Sequence, residues 1–437
     1  MLNLLLANFA SVMSTIGRIL LALVILMFMV LIHETGHYTA GKILGFQINE
    51  FAIGMGPKIF SRKKKNGEVI SLRLLPLGGF CAFEGENEDG EENPKAFNKQ
   101  KPWKRLIVLF SGAFFNFISA ILIGIIAFSC YGDTFARVSS VYEFAPSVNQ
   151  QLQSGDLIYK IDGKRVFVLD NIARYMKSDE MTFTVLRPTL DKETDTVTFE
   201  EVTITGLTKS DFVNCNVDEI ITEIKSNDEE KRILQKGDWI YKVNNGNVLF
   251  KKGDFSNAVQ NLTGEITLTV RVGNKFYDYT IDKSMLGSSV KFAENEYSGI
   301  GMGVDYVNQK IGFGEALVRV VPYCGEVAML VLRTLGGLFT GMVGVNDIGG
   351  PISTIGITSQ IVATGFGNIL RLIVLISVNL AVFNLLPVPA LDGCQMIFVI
   401  IEWIARKPIN RKVQAYINGI GLIVLIGLML LIDILKL

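Results

Sequence analysis

The chain has 437 residues, of which 49% are hydrophobic and 19% are charged. Its mean hydropathy of +0.36 is too high for an ordinary soluble enzyme of this length, so the composition indicates a membrane protein. The 42 basic and 42 acidic residues cancel, which leaves no basic field of the kind that nucleic-acid binding requires. Nucleic acid is therefore not an expected partner. The five cysteines show no paired spacing, so neither a disulfide framework nor a thiolate metal site is expected.

Four apolar segments are long enough to cross a bilayer, which requires about 20 residues. They cover residues 14–36, 105–130, 367–388 and 415–435. No small-residue cleavage site follows the first segment, so we expect it to stay attached rather than to be removed as a signal peptide. The chain is therefore predicted to be an α-helical, multi-pass membrane protein with about four transmembrane helices.

Two basic loops predict the orientation, because cytoplasmic loops are enriched in Lys and Arg. Residues 57–105 carry eleven basic side chains. The loop between the last two spans adds Arg406, Lys407, Arg411 and Lys412. We expect both loops in the cytoplasm and residues 131–366 on the other side of the membrane.

The region 131–300 changes character, with alternating stretches that are typical of β-strands. It contains an internal repeat, in which Gly155-Asp156 and Gly237-Asp238 stand in similar contexts 82 residues apart. This spacing predicts two tandem β-rich modules, at 131–210 and 211–300.

Residues 301–366 are predicted as a separate segment before the C-terminal membrane part, 367–437. Within it, 312–340 is apolar with isolated charges. Three placements fit this pattern: an amphipathic helix in the membrane surface, a helix packed on the soluble modules, or a fifth span.

Both histidines of the chain fall in one motif, His33-Glu34-Thr35-Gly36-His37, at the end of the first apolar run. Residues four apart share one face of a helix, so both imidazoles can bind one ion while Glu34 reaches a water beside it. Zinc is the metal that this motif predicts, with Glu34 as general base. Two imidazoles and a carboxylate at membrane depth are costly, which favours a functional role.

A third ligand is needed, because a catalytic zinc keeps three protein ligands and one water. The run that ends the third span offers Asp392, and Pro387 and Pro389 break the helix so that this carboxylate can turn inward. Taken alone, Asp392-Gly393 predicts only a turn. Beside an intramembrane zinc motif, Asp392 becomes the predicted ligand.

The chain resembles the site-2 protease family, in particular its bacterial regulator-of-sigma-E protease branch. The resemblance covers nearly the whole chain, and it rests on residues 33–37 and 384–393 together with 51–57, 75–80 and 349–352. It implies a zinc-dependent intramembrane endopeptidase of the bacterial inner membrane, with its active site toward the cytoplasm. The implied substrates are single-pass membrane proteins such as anti-sigma factors or signal-peptide remnants, shortened beforehand by another protease.

The same resemblance implies that His33, His37 and Asp392 bind zinc and that Glu34 is the catalytic base. It also implies that Asn379 and Asn384 handle the substrate, although hydrogen bonding between helices would equally explain two asparagines there. The chain departs from many relatives at Cys394-Gln395, where they have Gly-His.

A membrane-reentrant β-hairpin at about 50–84 is a further implication of the resemblance. A protease must hold an unwound transmembrane segment extended, and addition of a strand to a sheet edge does this. We predict that Ser71, Leu72 and Arg73, in the second strand, bind the substrate backbone.

The two modules resemble PDZ domains, which usually bind a peptide C-terminus. Neither copy shows a clear carboxylate-binding loop upstream of its repeat. We therefore expect the modules to exclude bulky substrates rather than to capture peptides.

Two other functions fit parts of the sequence. A membrane-embedded gluzincin would complete the zinc site with a later glutamate, and Glu315 and Glu402 are available, although neither lies in a Glu-x-x-x-Asp context. A non-catalytic PDZ adaptor would leave the zinc motif unexplained.

Overall fold

The computed structural model describes most of the chain, in two compact units, Met1–Gly132 with Lys310–Leu437, and Asp133–Gln309. The described residues are 2–86, 93–141, 151–167, 172–178, 180–191, 196–208, 215–228, 231–249, 253–272, 275–294, 302–340 and 351–434.

Eight α-helices occur within the described residues. In chain order they are α1 (Leu2–Leu44), α2 (Pro102–Tyr131), α3 (Asp254–Gln260), α4 (Phe313–Thr340), α5 (Pro351–Val362), α6 (Phe366–Leu385), α7 (Asp392–Ala405) and α8 (Arg411–Ile434). Glycine and proline set several of their ends. Helix α1 stops at Gly45, which has a φ of 80° in the left-handed region, and α2 has Pro102 in its first turn.

Four of these helices are long and apolar enough to cross a membrane: Thr15–Leu44, Pro102–Tyr131, Phe366–Leu385 and Lys412–Ile434. They confirm the four predicted spans. The first helix continues eight residues past its predicted end at 36, because the polar motif residues stay helical although the hydropathy has already fallen.

Helix α4 corresponds to the segment for which three placements were open. Its fully buried side chains Ala316, Val320, Cys324 and Val327 form a stripe at helical spacing. The stripe packs on the membrane helices: Val320 lies against Gly124 of α2, and the Tyr323 ring contacts Phe128 with centroids 5.1 Å apart. The buried face of this segment therefore packs on α2, and its placement relative to the membrane stays a prediction.

The hairpin predicted at about 50–84 consists of β1 (Ile48–Lys63) and β2 (Val69–Phe83). Its register is unusual, because Glu50 pairs with both Val69 and Ala82. Both long strands bend, so that four short segments lie side by side in the order 58–63, 69–73, 50–53 and 79–83. Glycines with positive φ allow the bends, since Gly54 has a φ of 83° and its missing Cβ would lie 2.6 Å from the Leu75 carbonyl oxygen.

The remaining strands belong to the second unit. They are β3 (Asp133–Val141), β4 (Leu157–Ile161), β5 (Lys164–Arg165), β6 (Glu180–Asp191), β7 (Thr196–Thr208), β8 (Cys215–Ile220), β9 (Trp239–Val243), β10 (Glu265–Val272), β11 (Lys275–Asp282), β12 (Val290–Glu294) and β13 (Met302–Gln309).

The strands of this unit form two antiparallel sheets, one for each copy of the repeat. One sheet has the order β13-β3-β4-β6-β7 with β5 beside β4, and the other has the order β11-β10-β9-β8-β12. Each sheet covers its own buried core, around Ile158 and Phe183 in the first and Ile240 and Tyr279 in the second. Residues 302–309, predicted as part of a membrane-surface segment, instead complete the first sheet.

The two copies of the repeat fold alike. Gly155 and Gly237 both have positive φ, 99° and 90°. The carboxylates of Asp156 and Asp238 each accept the backbone N–H three residues earlier and bind one arginine, Arg187 or Arg232, through both oxygens. The Gly-Asp pair is thus a turn held by a charged hydrogen-bond network in both modules.

Candidate active site

Two histidines one turn apart on α1 form the base of the site. His33 and His37 are both 6% exposed, and their Nε2 atoms lie 3.0 Å apart. The Nδ1 atom of His37 lies 2.8 Å from the Val108 carbonyl oxygen of α2. Because a carbonyl can only accept, Nδ1 carries the proton and Nε2 is left with a free lone pair for a metal.

A break between α6 and α7 positions the third side chain. Helix α6 ends at Leu385 before Pro387 and Pro389, and the left-handed Ala390 (φ 75°) turns the chain into α7. Asp392 is the first residue of α7, where the helix dipole favours a carboxylate. Its Oδ2 lies 2.9 Å from Nε2 of His33 and 3.3 Å from Nε2 of His37.

The three side chains fit a zinc ion. The ligand atoms of His33, His37 and Asp392 all lie within 4.8 Å of one another. Tetrahedral zinc with bonds of about 2.0 to 2.1 Å separates its ligand atoms by roughly 3.3 Å, close to the distances found. Oδ2 of Asp392 is buried and accepts no hydrogen bond within the described part of the chain, as expected of an oxygen reserved for a metal.

Glycine lets α2 approach the two histidines closely. A Cβ on Gly112 would lie 2.5 Å from Nε2 of His37 and 2.6 Å from Cε1 of His33. From the other side, a Cβ on Gly36 would lie 2.4 Å from the Ser111 carbonyl oxygen. Both contacts are far inside van der Waals distance, so the site depends on two glycines that the sequence analysis did not single out.

Glu34 lies on a different side of α1, toward β2. Its Cγ would be 3.8 Å from a Cβ on Gly79. The segment 79–83 pairs with 50–53 on one side only, so its outer edge, among the described residues, faces Glu34 without a partner strand.

The two asparagines of α6 have different surroundings. The side-chain amide of Asn384 is 3.3 Å from Nδ1 of His33. With Nε2 given to a metal, Nδ1 carries a proton, which the amide oxygen accepts after a 180° flip of the side chain. Asn379 has a buried Oδ1 that accepts no hydrogen bond within the described residues. Their substrate-handling role stays a prediction.

Ser71 and Leu72 do not lie at a free edge. Ser71 pairs with both Ala52 and Ser61, and Leu72 pairs with both Ile53 and Phe60. The Ser71 hydroxyl and the Arg73 guanidinium instead donate to the Glu50 carboxylate, at 2.5 and 2.8 Å. The predicted addition of a substrate strand at Ser71 and Leu72 is therefore corrected, because the edge beside Glu34 belongs to 79–83.

A buried carboxylate ties the turn of the hairpin to α1. Glu68 is fully buried and accepts from Lys42 and Tyr38 of α1 and from Lys64 and Asn66 of the turn. Burial raises the pKa of Glu68, but the hydrogen bonds from the two lysines outweigh it and bring the pKa to about 2. The carboxylate is thus ionised at neutral pH and fixes the hairpin against the helix that carries the histidines.

Two polar residues near the site were missed by the sequence analysis. Asn116, one turn beyond Gly112 on α2, is fully buried, and within the described residues neither atom of its amide has a hydrogen-bond partner. Glu86 follows β2 and accepts the Phe83 backbone N–H at 3.3 Å. A polar residue inside an apolar span is itself a functional signal, and it could have identified Asn116.

Glu315 and Glu402, the glutamates that a gluzincin site would use, interact with other side chains. Glu402 forms a buried ion pair with Arg105 at 2.6 Å and also accepts from Gln414. Glu315 lies on α4, 4.0 Å from Arg319. Neither joins the group of potential ligands around the two histidines, as far as the described residues go.

Two histidines, a glutamate between them and an aspartate that meet among apolar helices are typical of a membrane-embedded metallopeptidase. The chain belongs to peptidase family M50, whose profile matches residues 21–428, and it is a metalloendopeptidase. This match confirms the resemblance to site-2 proteases.

Curated relatives align over nearly their full length. A Clostridium perfringens protein with the provisional name zinc metalloprotease is 28% identical over 417 residues, which cover 95% of this chain and 97% of that protein. A Thermotoga maritima protein with the same provisional name is 27% identical, with 94% and 97% covered. The regulator of sigma E protease of Haemophilus influenzae is 26% identical over 445 residues, with 96% and 97% covered.

Proposed function

We propose that this chain is a zinc-dependent intramembrane endopeptidase that cuts transmembrane segments of single-pass membrane proteins. The observation that carries the proposal is the meeting of His33, His37 and Asp392 from α1 and α7, beside two of the apolar spans. Names of relatives that include zinc metalloprotease and regulator of sigma E protease support both the metal and the substrate class.

The side chains divide the work of peptide hydrolysis. When bound, zinc polarises the scissile carbonyl and lowers the pKa of water at the site. Glu34 takes the proton of the attacking water and later gives it to the leaving amine. Val108 and Asn384 fix the ring orientations of His37 and His33.

One contact and one exposed surface support a hairpin that re-enters the membrane. A Cβ on Gly78 would lie 3.7 Å from Val30, which is one helical turn before Glu34 in the first span. The bend near it exposes large apolar side chains, including Met55, Leu74 and Leu75. Exposed apolar side chains at this depth are suited to lipid rather than to water.

We further propose that an extended substrate adds as a strand to the edge formed by 79–83. A photo-reactive phenylalanine analogue at Phe80, in an inactive Glu34→Gln background, should cross-link a bound membrane substrate. The same analogue at Leu72, a residue 44% exposed but in an inner segment, should cross-link several-fold less. Mass spectrometry of the cross-linked product measures both yields.

The two positions are matched, because both are apolar residues of β2 and both variants keep the zinc ligands. Stronger cross-linking at Leu72 than at Phe80 would indicate that the substrate binds at 71–73. It would overturn the proposal that the substrate adds to the edge formed by 79–83.

The proposed topology has residues 57–105 and 406–412 in the cytoplasm and 131–300 outside, in a bacterial inner membrane. Single cysteines at the exposed Lys65 and Lys236, in a background without the five native cysteines, test it with an impermeant thiol reagent. Only position 236 should be labelled in intact cells, and both positions after lysis. Labelling of position 65 in intact cells would contradict the topology.

The role proposed for the modules is steric. Under this topology they lie on the outer side of the membrane, where they would keep substrates with bulky outer domains from the metal site. Such an enzyme would act after another protease has shortened the substrate.

A further inference from the structure

The outer edge of 79–83 ends at a carboxylate. Alternate residues of a strand direct their N–H groups to the same side, so Gly79, Cys81 and Phe83 share the outer edge. A Cβ on Gly79 would lie 3.8 Å from Cγ of Glu34, and the Phe83 amide donates to Oε2 of Glu86 at 3.3 Å. An added strand therefore runs from the catalytic glutamate toward Glu86.

Glu86 differs from Glu68 and Glu402 of the same unit, each of which has a cation beside it. Glu68 is bound by Lys42 and Lys64, and Glu402 is bound by Arg105. Within the described part of the chain, the carboxylate of Glu86 has the Phe83 amide but no ion pair. Burial raises the pKa of Glu86 to about 7, as expected for a carboxylate without a neighbouring positive charge to stabilise its ionised form.

The position of Glu86 along the membrane normal follows from α1. Phe83 contacts Gly41, since a Cβ on that glycine would lie 2.4 Å from the Phe83 ring, whereas Gly79 lies beside Glu34. Seven residues of helix correspond to about 10 Å. The edge therefore runs from the catalytic depth toward the cytoplasmic end of α1, and Glu86 stands at that end.

We propose that Glu86 is a specificity-determining residue that receives a lysine or arginine on the cytoplasmic flank of the substrate's transmembrane segment. The inference rests on the proposed intramembrane cleavage and deepens it. Cytoplasmic flanks of membrane segments are enriched in Lys and Arg, so the cation is a general feature of such substrates. With a rise of about 3.4 Å per residue, the contact falls roughly two to four residues from the scissile bond and fixes the register of the added strand.

The test uses the full-length enzyme in proteoliposomes with a synthetic substrate. The probe is a peptide of about 20 apolar residues with a Gly-Ser pair roughly three residues before its cytoplasmic end, followed by a flank that begins with Lys, Gln or Glu. The wild-type enzyme should cleave the Lys-flanked peptide with a kcat/KM about tenfold above that for the Glu-flanked peptide. Glu86→Gln should bring this ratio close to one, and Glu86→Lys should invert it.

Glu84→Gln is the matched control. It removes the same negative charge from a position two residues before Glu86, where the side chain accepts a hydrogen bond from Asn93. It should keep the wild-type preference. The inference is overturned if the ratio of kcat/KM for the Lys-flanked and Glu-flanked peptides is the same in the wild type and in Glu86→Gln. It is also overturned if the wild-type enzyme cleaves both peptides equally well. Absence of cleavage of all three peptides by a zinc-loaded wild type would instead count against the proposed function.

Discussion

Asp392→Ala is expected to lose zinc and cleavage together, whereas Glu34→Gln should keep zinc and lose cleavage by at least ~10²-fold. The difference follows from geometry. Oδ2 of Asp392 lies 2.9 and 3.3 Å from the two histidine Nε2 atoms, so its removal leaves a site with two ligands. Glu34 is on another side of α1, where it can move a proton without holding the metal.

Elemental analysis of the purified protein and cleavage of a membrane substrate measure the two effects separately. Asp218→Ala, at a half-exposed aspartate of the second unit, is the control for loss of a carboxylate and should change neither quantity. An Asp392→Ala protein with full zinc and activity would show that the ligand assignment is wrong.

Gly112→Ala is expected to impair the same site without removing any ligand. The added Cβ would lie 2.5 Å from Nε2 of His37 and 2.6 Å from Cε1 of His33, so at least one imidazole or the α2 backbone must move. Misplacement of catalytic groups by about 1 Å can cost roughly 10²-fold in rate. We therefore expect lower zinc occupancy and a loss of cleavage of about 10- to 100-fold.

The control for this substitution is Gly427→Ala in α8, a helical glycine with open space around its missing Cβ. The two changes have the same chemistry and the same helix propensity, so only the contact with the histidines separates them. Equal zinc content and activity in the Gly112→Ala, Gly427→Ala and wild-type proteins would contradict the close packing of α2 on the site.

The sequence by itself predicted the four spans, the repeat and the three side chains, His33, His37 and Asp392, that the structure brings together. Each of these has a local signature: about 20 apolar residues for a span, a spacing of four for His33 and His37, and proline breaks before Asp392. Local signatures survive without knowledge of distant contacts, because they follow from the geometry of one helix or one turn.

Only the tertiary structure decided which strand edge faces Glu34 and what packs around the histidines. The alternating pattern around Ser71 predicts a strand, but it does not reveal that bends at Gly54 and Gly78 place 69–73 inside the sheet and 79–83 at its edge. The need for glycine at Gly112 is likewise invisible in the sequence, because it arises from a helix 75 residues from His37 along the chain. Register and close approach are relations between distant segments, and the physical interactions that fix them exist only once the chain has folded.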